Sequence, residues 1–184
     1  MSTLRELKTR IGSVSSSEKI TGAMKMISSA KVHKSERDLR RLLPFKNQIK
    51  SIMGHLLAAD GDYTSPLTEE REVSKVGIVV FGSDDGLCGA YNVNIFKQML
   101  VIMNNYREQY GDSTSFTVFP VGKKMLKAVK KIDGGFISVK SVKGVDSKMT
   151  GDKVTEFTEE LKHAFISGEL DKVVVVYMNF KSIS

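Results

Sequence analysis

The chain has 184 residues, 41% of them hydrophobic, with 28 Lys/Arg against 21 Asp/Glu. That suits one compact soluble domain, or a small domain with an extension, and excludes a disordered polyelectrolyte. The surplus charge is confined to one end: residues 1–57 hold 12 Lys/Arg and 4 Asp/Glu, whereas 58–184 hold 16 and 17. A single cysteine, Cys88, excludes an internal disulfide and fits a reducing compartment. No apolar run approaches the roughly 20 residues that span a bilayer. The polar, helix-forming start Met1–Glu6 is no secretory signal, so the chain reads as cytosolic.

In chain order, residues 1–57 carry the dominant pattern. Leu4, Leu7, Ile11 and Val14 alternate at three-and-four spacing, and so do Leu42, Phe45, Ile49, Ile52 and Leu56. Such spacing puts them on one narrow stripe, half of a coiled coil. Between the two stretches the phase slips through Ile20, Met24, Ile27 and Val32, a stutter that changes the supercoil locally. Ser2 or Thr3 is placed to cap the helix, with Glu6 at capping-box distance from Thr3. Pro44 lies inside the pattern and predicts a bend, with a break into two helices as the alternative. A continuous helix here would be roughly 80 Å long, so it should project from a compact domain. Its stripe then needs a partner, and nothing else in the chain supplies one.

Residues 58–74 read as a polar linker, and 75–184 as an α/β domain. Lys75–Phe81 is a strand buried on both faces. The turn Gly82–Gly89 follows, then a helix from near Asn92 to Gly111, with Ile95, Phe96, Met99, Ile102, Met103 and Tyr106 on one side. Phe116–Val121 is a second strand, Lys123–Lys131 a short helix, and Phe136–Val142 a third strand. Asp152–Ser167 is a helix with Val154, Phe157, Leu161 and Ala164 inward, closed by Gly168, and Lys172–Phe180 is a valine-rich fourth strand. This alternation predicts a mainly parallel, Rossmann-like sheet covered by helices.

The Gly82–Gly89 turn sits where α/β proteins bind phosphate, but its chemistry argues against it. Gly82, Gly86 and Gly89 have neither the dinucleotide nor the P-loop spacing. Asp84 and Asp85 put negative charge where phosphate would sit, and a carboxylate can itself satisfy a helix N-terminus. Cys88 has no histidine suggested beside it, since the three are His33, His55 and His163, so a structural thiol is the better reading. Asp60, Asp62, Asp84 and Asp85 lack metal-ligand spacing. No catalytic, cofactor or metal residue is therefore assigned. The basic helix could be a nucleic-acid rod, a membrane-surface helix or a shaft held by acidic partners. Its cations spread around the helix without interleaved aromatics, which disfavours single-strand binding.

Two stretches resemble a known family. Glu18-Lys19-Ile20-Thr21-Gly22-Ala23-Met24-Lys25-Met26-Ile27 is similar to the N-terminal helix signature of the γ subunit of F-type ATP synthases. Ser83-Asp84-Asp85-Gly86-Leu87-Cys88-Gly89-Ala90-Tyr91-Asn92 resembles that family's Asp-Arg-Gly-Leu-Cys-Gly turn. Gly54-His55-Leu56 and Leu170-Asp171-Lys172 fit as well. The resemblance implies a non-catalytic central-stalk rotor without a cofactor, peripheral on the cytoplasmic face of a bacterial membrane. Its implied partners are the α and β subunits of the catalytic ring, the ε subunit and the membrane c-ring, with no nucleic acid and no direct membrane insertion. By the same resemblance Lys19, Met24, Lys25, Lys31 and the turn residues Asp84, Asp85, Gly86 and Cys88 face the β subunit. Asp85 stands where the family usually has Arg, so that Arg's ion pair is not carried over. The family's chain runs well past the position of Ser184, so the α/β domain is read as incomplete at its C-terminus and the sequence as truncated. Without the mate its family supplies, the N-terminal helix is expected to self-associate. The competing reading is a small α/β enzyme with a coiled-coil arm, using Asp84 and Asp85 as acid and base.

Overall fold

A computed structural model describes residues 3–58, 65–142, 144, 146 and 149–181. The chain divides into two compact units, Met1–Tyr63 and Thr64–Ser184. In the first, α1 is one uninterrupted helix, Leu4–Ala58, with Pro44 inside it and no buried residue. The alternative of two helices separated at Pro44 is therefore not realised. The predicted capping box is present: the Thr3 N–H donates to Glu6 Oε2 at 2.8 Å, and the Glu6 N–H to Thr3 Oγ1 at 3.3 Å. These bonds satisfy two donors that the helix start would otherwise leave unpaired. Every residue of the predicted stripe, from Leu4 to Leu56, stays exposed.

The second unit contains a four-stranded, wholly parallel sheet in the order β3-β2-β1-β4. The strands are β1 (Lys75–Phe81), β2 (Ser115–Val121), β3 (Ile137–Val139) and β4 (Lys172–Val176). The helices are α2 (Tyr91–Tyr110), α3 (Lys123–Val129) followed by a 3-10 turn Lys130–Ile132, and α4 (Gly151–Ile166). Alternation along the strands splits the core in two. Val76, Ile78 and Val80 of β1 join Phe116, Val118 and Val176 beneath Ile95, Met99 and Met103 of α2 and Met125 and Val129 of α3. On the other face Val79, Phe119 and Val121 pack against Phe157 and Ala164 of α4 and against Leu170. A Cβ on Gly77 would lie 2.8 Å from Leu170 Cδ1, so the glycine lets Leu170 press onto β1.

Three expected boundaries move. Strand β3 is three residues long and β4 stops at Val176, although Phe136–Val142 and Lys172–Phe180 have strand-like composition. Pro120 marks part of the reason. The Phe116 N–H donates to Phe136 O, and Val118 O accepts from Lys140, so alternate residues of β2 face β3. Pro120 is next in that series and has no N–H to offer, so pairing ends there. The short third helix stops at Val129 rather than Lys131. Val154, expected inward on α4, is exposed, because only Phe157 and Ala164 of that helix are fully covered. Residues 59–64 of the expected linker lie outside the described residues.

The stretch before β1 is tied down by Asp171. Its carboxylate accepts from the Ser74 N–H (2.9 Å), the Ser74 hydroxyl (3.1 Å) and the Lys75 N–H (2.8 Å). Partial burial alone would raise its pKa, but these bonds and the nearby Lys75 charge outweigh it and hold the carboxyl below its ordinary value. A depressed carboxylate stabilises the fold above its unfolded pKa, near 3.9, and loses that contribution as pH falls through the lower folded value. Asp171→Asn should therefore cost about 1 kcal/mol at pH 6, a modest figure because the group is only partly buried, and the difference should shrink as pH falls through the lowered folded value. Urea unfolding of both proteins across that range measures it.

Candidate functional site

The turn after β1 leaves the carboxyl end of the sheet where the chain's neighbours diverge, β2 on one side and β4 on the other. Open α/β sheets bind ligands at such a switch point. Here the position is filled by the protein itself. Asn92, in the first turn of α2, accepts from the Ser83 N–H through Oδ1 at 2.9 Å. Its Nδ2 donates to Ser83 Oγ at 2.8 Å and to Cys88 Sγ at 3.2 Å. Both amide hydrogens are thus used, and the backbone donor best placed for a ligand is occupied. The Ser83 hydroxyl in turn donates to the Asp85 carbonyl at 2.7 Å.

The other side of the turn is fastened to the start of α3. Asp84 Oδ1 accepts from the Lys123 N–H and Ser83 O from the Lys124 N–H, both at 3.0 Å. A carboxylate does satisfy a helix start, but the helix is α3, not the one the turn opens. No side chain caps α2, whose N-cap is Ala90. This contact joins residues 39 apart, which local spacing cannot show. Two glycines make the approach possible. A Cβ on Gly82 would meet Met125 Cβ at 2.5 Å and Asn92 Oδ1 at 2.8 Å, and one on Gly122 (φ +102°) would meet Gly82 O at 2.8 Å.

At the tip, Leu87 adopts φ 60° and is 95% exposed. Positive φ costs a residue with a Cβ roughly 1–2 kcal/mol. Leu87→Gly should accordingly raise the unfolding free energy by about 0.5–1 kcal/mol, read by denaturant titration, while removing the apolar tip. Tyr91, at the start of α2, holds its proton above its ordinary pKa, chiefly through burial and secondarily through the charge of Cys88.

Of the residues singled out from sequence, Asp84 and Cys88 share one hydrogen-bonded turn with Asp85 and Gly86, which are exposed at its tip. Lys19, Met24, Lys25 and Lys31 are exposed on α1. Sequence reasoning missed Ser83, Asn92, Gly82 and Gly122 as the turn's supports. The available signal was Asn92, a poor helix former that earns its place by bonding back to the preceding chain. Among the described residues, no group of His, Cys, Asp and Glu stands close enough to hold a metal ion. Asp60 and Asp62 lie outside the described residues.

A long, unburied basic helix ahead of a parallel sheet with alternating helices places the chain among α/β proteins. The sequence model of the family described as ATP synthase matches residues 3–184. The chain is 39% identical to an ATP synthase gamma chain of Bacteroides thetaiotaomicron over 183 residues, covering all of this chain and 60% of that relative. It is 36% identical to the ATP synthase gamma chain of Phocaeicola vulgatus over 182 residues, and 33% identical to that of Flavobacterium psychrophilum over 187, covering 62% and 61% of them. The chain belongs to the ATP synthase gamma-chain family of bacteria. It spans about three fifths of the length of the curated relatives it matches. Among the described residues, no helix is long and apolar enough to cross a membrane.

Proposed function

We propose that this chain is the non-catalytic central-stalk part of an F-type ATP synthase, turning with proton flow and imposing conformational change on the catalytic β subunits. The observation that carries the reading is α1: 55 residues, none buried, with an apolar stripe open along its length. A helix of that length gains most of its stability from packing, so it is built to be enclosed by other chains. Its cations suit acidic partner surfaces, and exposed ion pairs of ~0–1 kcal/mol can be exchanged as a shaft turns. Lys19, Met24, Lys25 and Lys31, with the Asp84–Cys88 turn and its exposed Leu87 tip, are the proposed β-facing contacts. The α/β unit is the foot, working against the ε subunit and the c-ring at the cytoplasmic face of the membrane.

Co-purification with the α and β subunits, followed by ATP hydrolysis with and without this chain, tests the proposal. The expected result is capture of both subunits, weakened by joint Lys19→Ala, Lys25→Ala and Lys31→Ala, with no turnover by the chain alone. Intrinsic turnover abolished by Asp84→Ala or Asp85→Ala would instead establish the small-enzyme reading. Alone in solution, the chain is expected to self-associate through α1. Ile11→Glu with Ile49→Glu should abolish that association in sedimentation.

A further inference from the structure

Leu87 carries two costs that nothing in its own chain offsets. Its φ of 60° makes it the only described residue other than glycine with a positive φ; every other described position of that kind holds a glycine, Gly89 of the same turn included. A Cβ in that region crowds the following carbonyl oxygen, a penalty that glycine does not incur. The side chain is also 95% exposed, whereas no other large apolar residue described in the second unit exceeds 54%. Single exposed apolar side chains are ordinary on a protein surface. One that is held on a strained backbone and yet packs against nothing is not, because glycine there would make the fold more stable.

The turn holds this side chain still. Asn92 fastens it from the α2 side through Ser83, and the Lys123 and Lys124 N–H groups fasten it from α3, so its conformation is set in the free chain. Preorganisation of this kind lowers the ordering cost of binding. The neighbours leave Leu87 standing alone: Gly86 and Gly89 have no side chain, and Cys88 Sγ is taken up by Asn92 Nδ2. The turn's polar groups are mostly spent internally, Asp84 on the Lys123 N–H and the Asp85 carbonyl on the Ser83 hydroxyl. What the tip presents outward is one isobutyl group beside the exposed Asp85 side chain.

We propose that Leu87 is the apolar anchor of this turn, seated in a socket lined by apolar side chains on a β subunit of the catalytic ring. This role rests on the central-stalk reading and adds which side chain of the turn carries the contact. The lysines of α1 supply weak, exchangeable attraction. Leu87 supplies a shape-specific seat. Since each chain has one Leu87, it fills one socket of the ring at a time and so marks one β subunit as different from its neighbours.

Titration of the assembled α and β subunits with the full 184-residue chain tests it, and Leu87→Asn is the decisive variant. Asparagine is close to leucine in shape and tolerates positive φ, so the change removes the apolar character alone. The variant's urea midpoint should equal or exceed that of wild type, while its affinity falls about tenfold or more, the cost of leaving a leucine's area unburied. Leu87→Met, still apolar, should bind within about threefold of wild type. So should Val101→Thr, at a half-exposed apolar position on α2. Stability and binding thus move in opposite directions in Leu87→Asn, which a purely structural role does not produce. A diazirine side chain installed at position 87 should crosslink to β. If the joint Lys19, Lys25 and Lys31 variant is weakened and Leu87→Asn is not, the anchor is overturned and the central-stalk reading stands. Equal losses in Leu87→Asn and Val101→Thr, or crosslinking to α alone, overturn the anchor as well. Failure of the wild-type chain to be captured at all overturns both.

Discussion

Gly122→Ala should destabilise the α/β unit by about 2–4 kcal/mol, a large share of the stability of a marginal domain. Two costs combine. At φ +102° the backbone is in a region that a residue with a Cβ enters only under strain, and the new Cβ would stand 2.8 Å from Gly82 O and 2.9 Å from Gly82 C. Those are backbone atoms, so relief requires the β1 and β2 ends to separate. Separation breaks the Gly82 N–H to Val121 O bond of 2.8 Å and loosens the Lys124 N–H to Ser83 O bond. None of the five tyrosines lies in α1 and four of them lie in this unit, so tyrosine fluorescence reads chiefly the α/β unit. A drop of roughly 8–16 °C in that transition is expected. The same substitution in α1 has the opposite sign. A Cβ at Gly12 meets nothing within 4 Å, so Gly12→Ala should gain up to about 1 kcal/mol of helix stability.

Phe116→Ala should cost about 3–5 kcal/mol, among the largest effects of any single truncation in the unit. Phe116 is 1% exposed, in the cluster shared by β1, α2 and α3. Its ring meets Phe136 edge-on with centroids 6.2 Å apart, and the Arg107 guanidinium lies 4.2 Å from the Phe136 centroid on α2's side. Removing Phe116 therefore leaves a cavity and also withdraws support from the residue at the entry to β3. Strand β3 pairs through only three positions, Phe116↔Ile137, Thr117↔Ser138 and Val118↔Val139, so it should be first to loosen. Hydrogen exchange is expected to show faster exchange at Lys140, whose N–H donates to Val118 O of β2, in Phe116→Leu, even though that variant loses only about 1 kcal/mol overall. Undiminished protection there would show that the aromatic contact does not hold β3.

Elements whose signal is local are readable from the amino acids alone. Strand β1 announces itself as an unbroken apolar run because it is central and covered on both faces. Helix α2 ends at Gly111, whose φ of 98° needs no partner to be inferred. The capping box at Thr3 and Glu6 is three residues of chemistry. What local patterns misstate is extent. Phe136 and the segment Tyr177–Phe180 have strand-forming composition, yet pairing of β3 runs only from Ile137 to Val139 and that of β4 stops at Val176. The turn divides in the same way. Its location after β1 and its acidic character are visible, whereas its construction depends on Asn92 reaching back and on α3 arriving from beyond β2. Asp84 meets Lys123, and Gly82 meets Gly122, only after the sheet has formed.

The outer flank of β4 bears on how the protein must be handled. Its inner flank pairs with β1 from Val76 to Val80, and within the described sheet no strand lies on the other side. Along Val173–Val176 the alternate backbone groups not turned towards β1 face this outer flank, with Lys172 as the only charged residue in the strand. Such a border is a template for a second molecule's nascent strand during refolding from urea. Refolding yield should consequently fall as protein concentration rises, and Val175→Lys, at an already half-exposed position, should restore it.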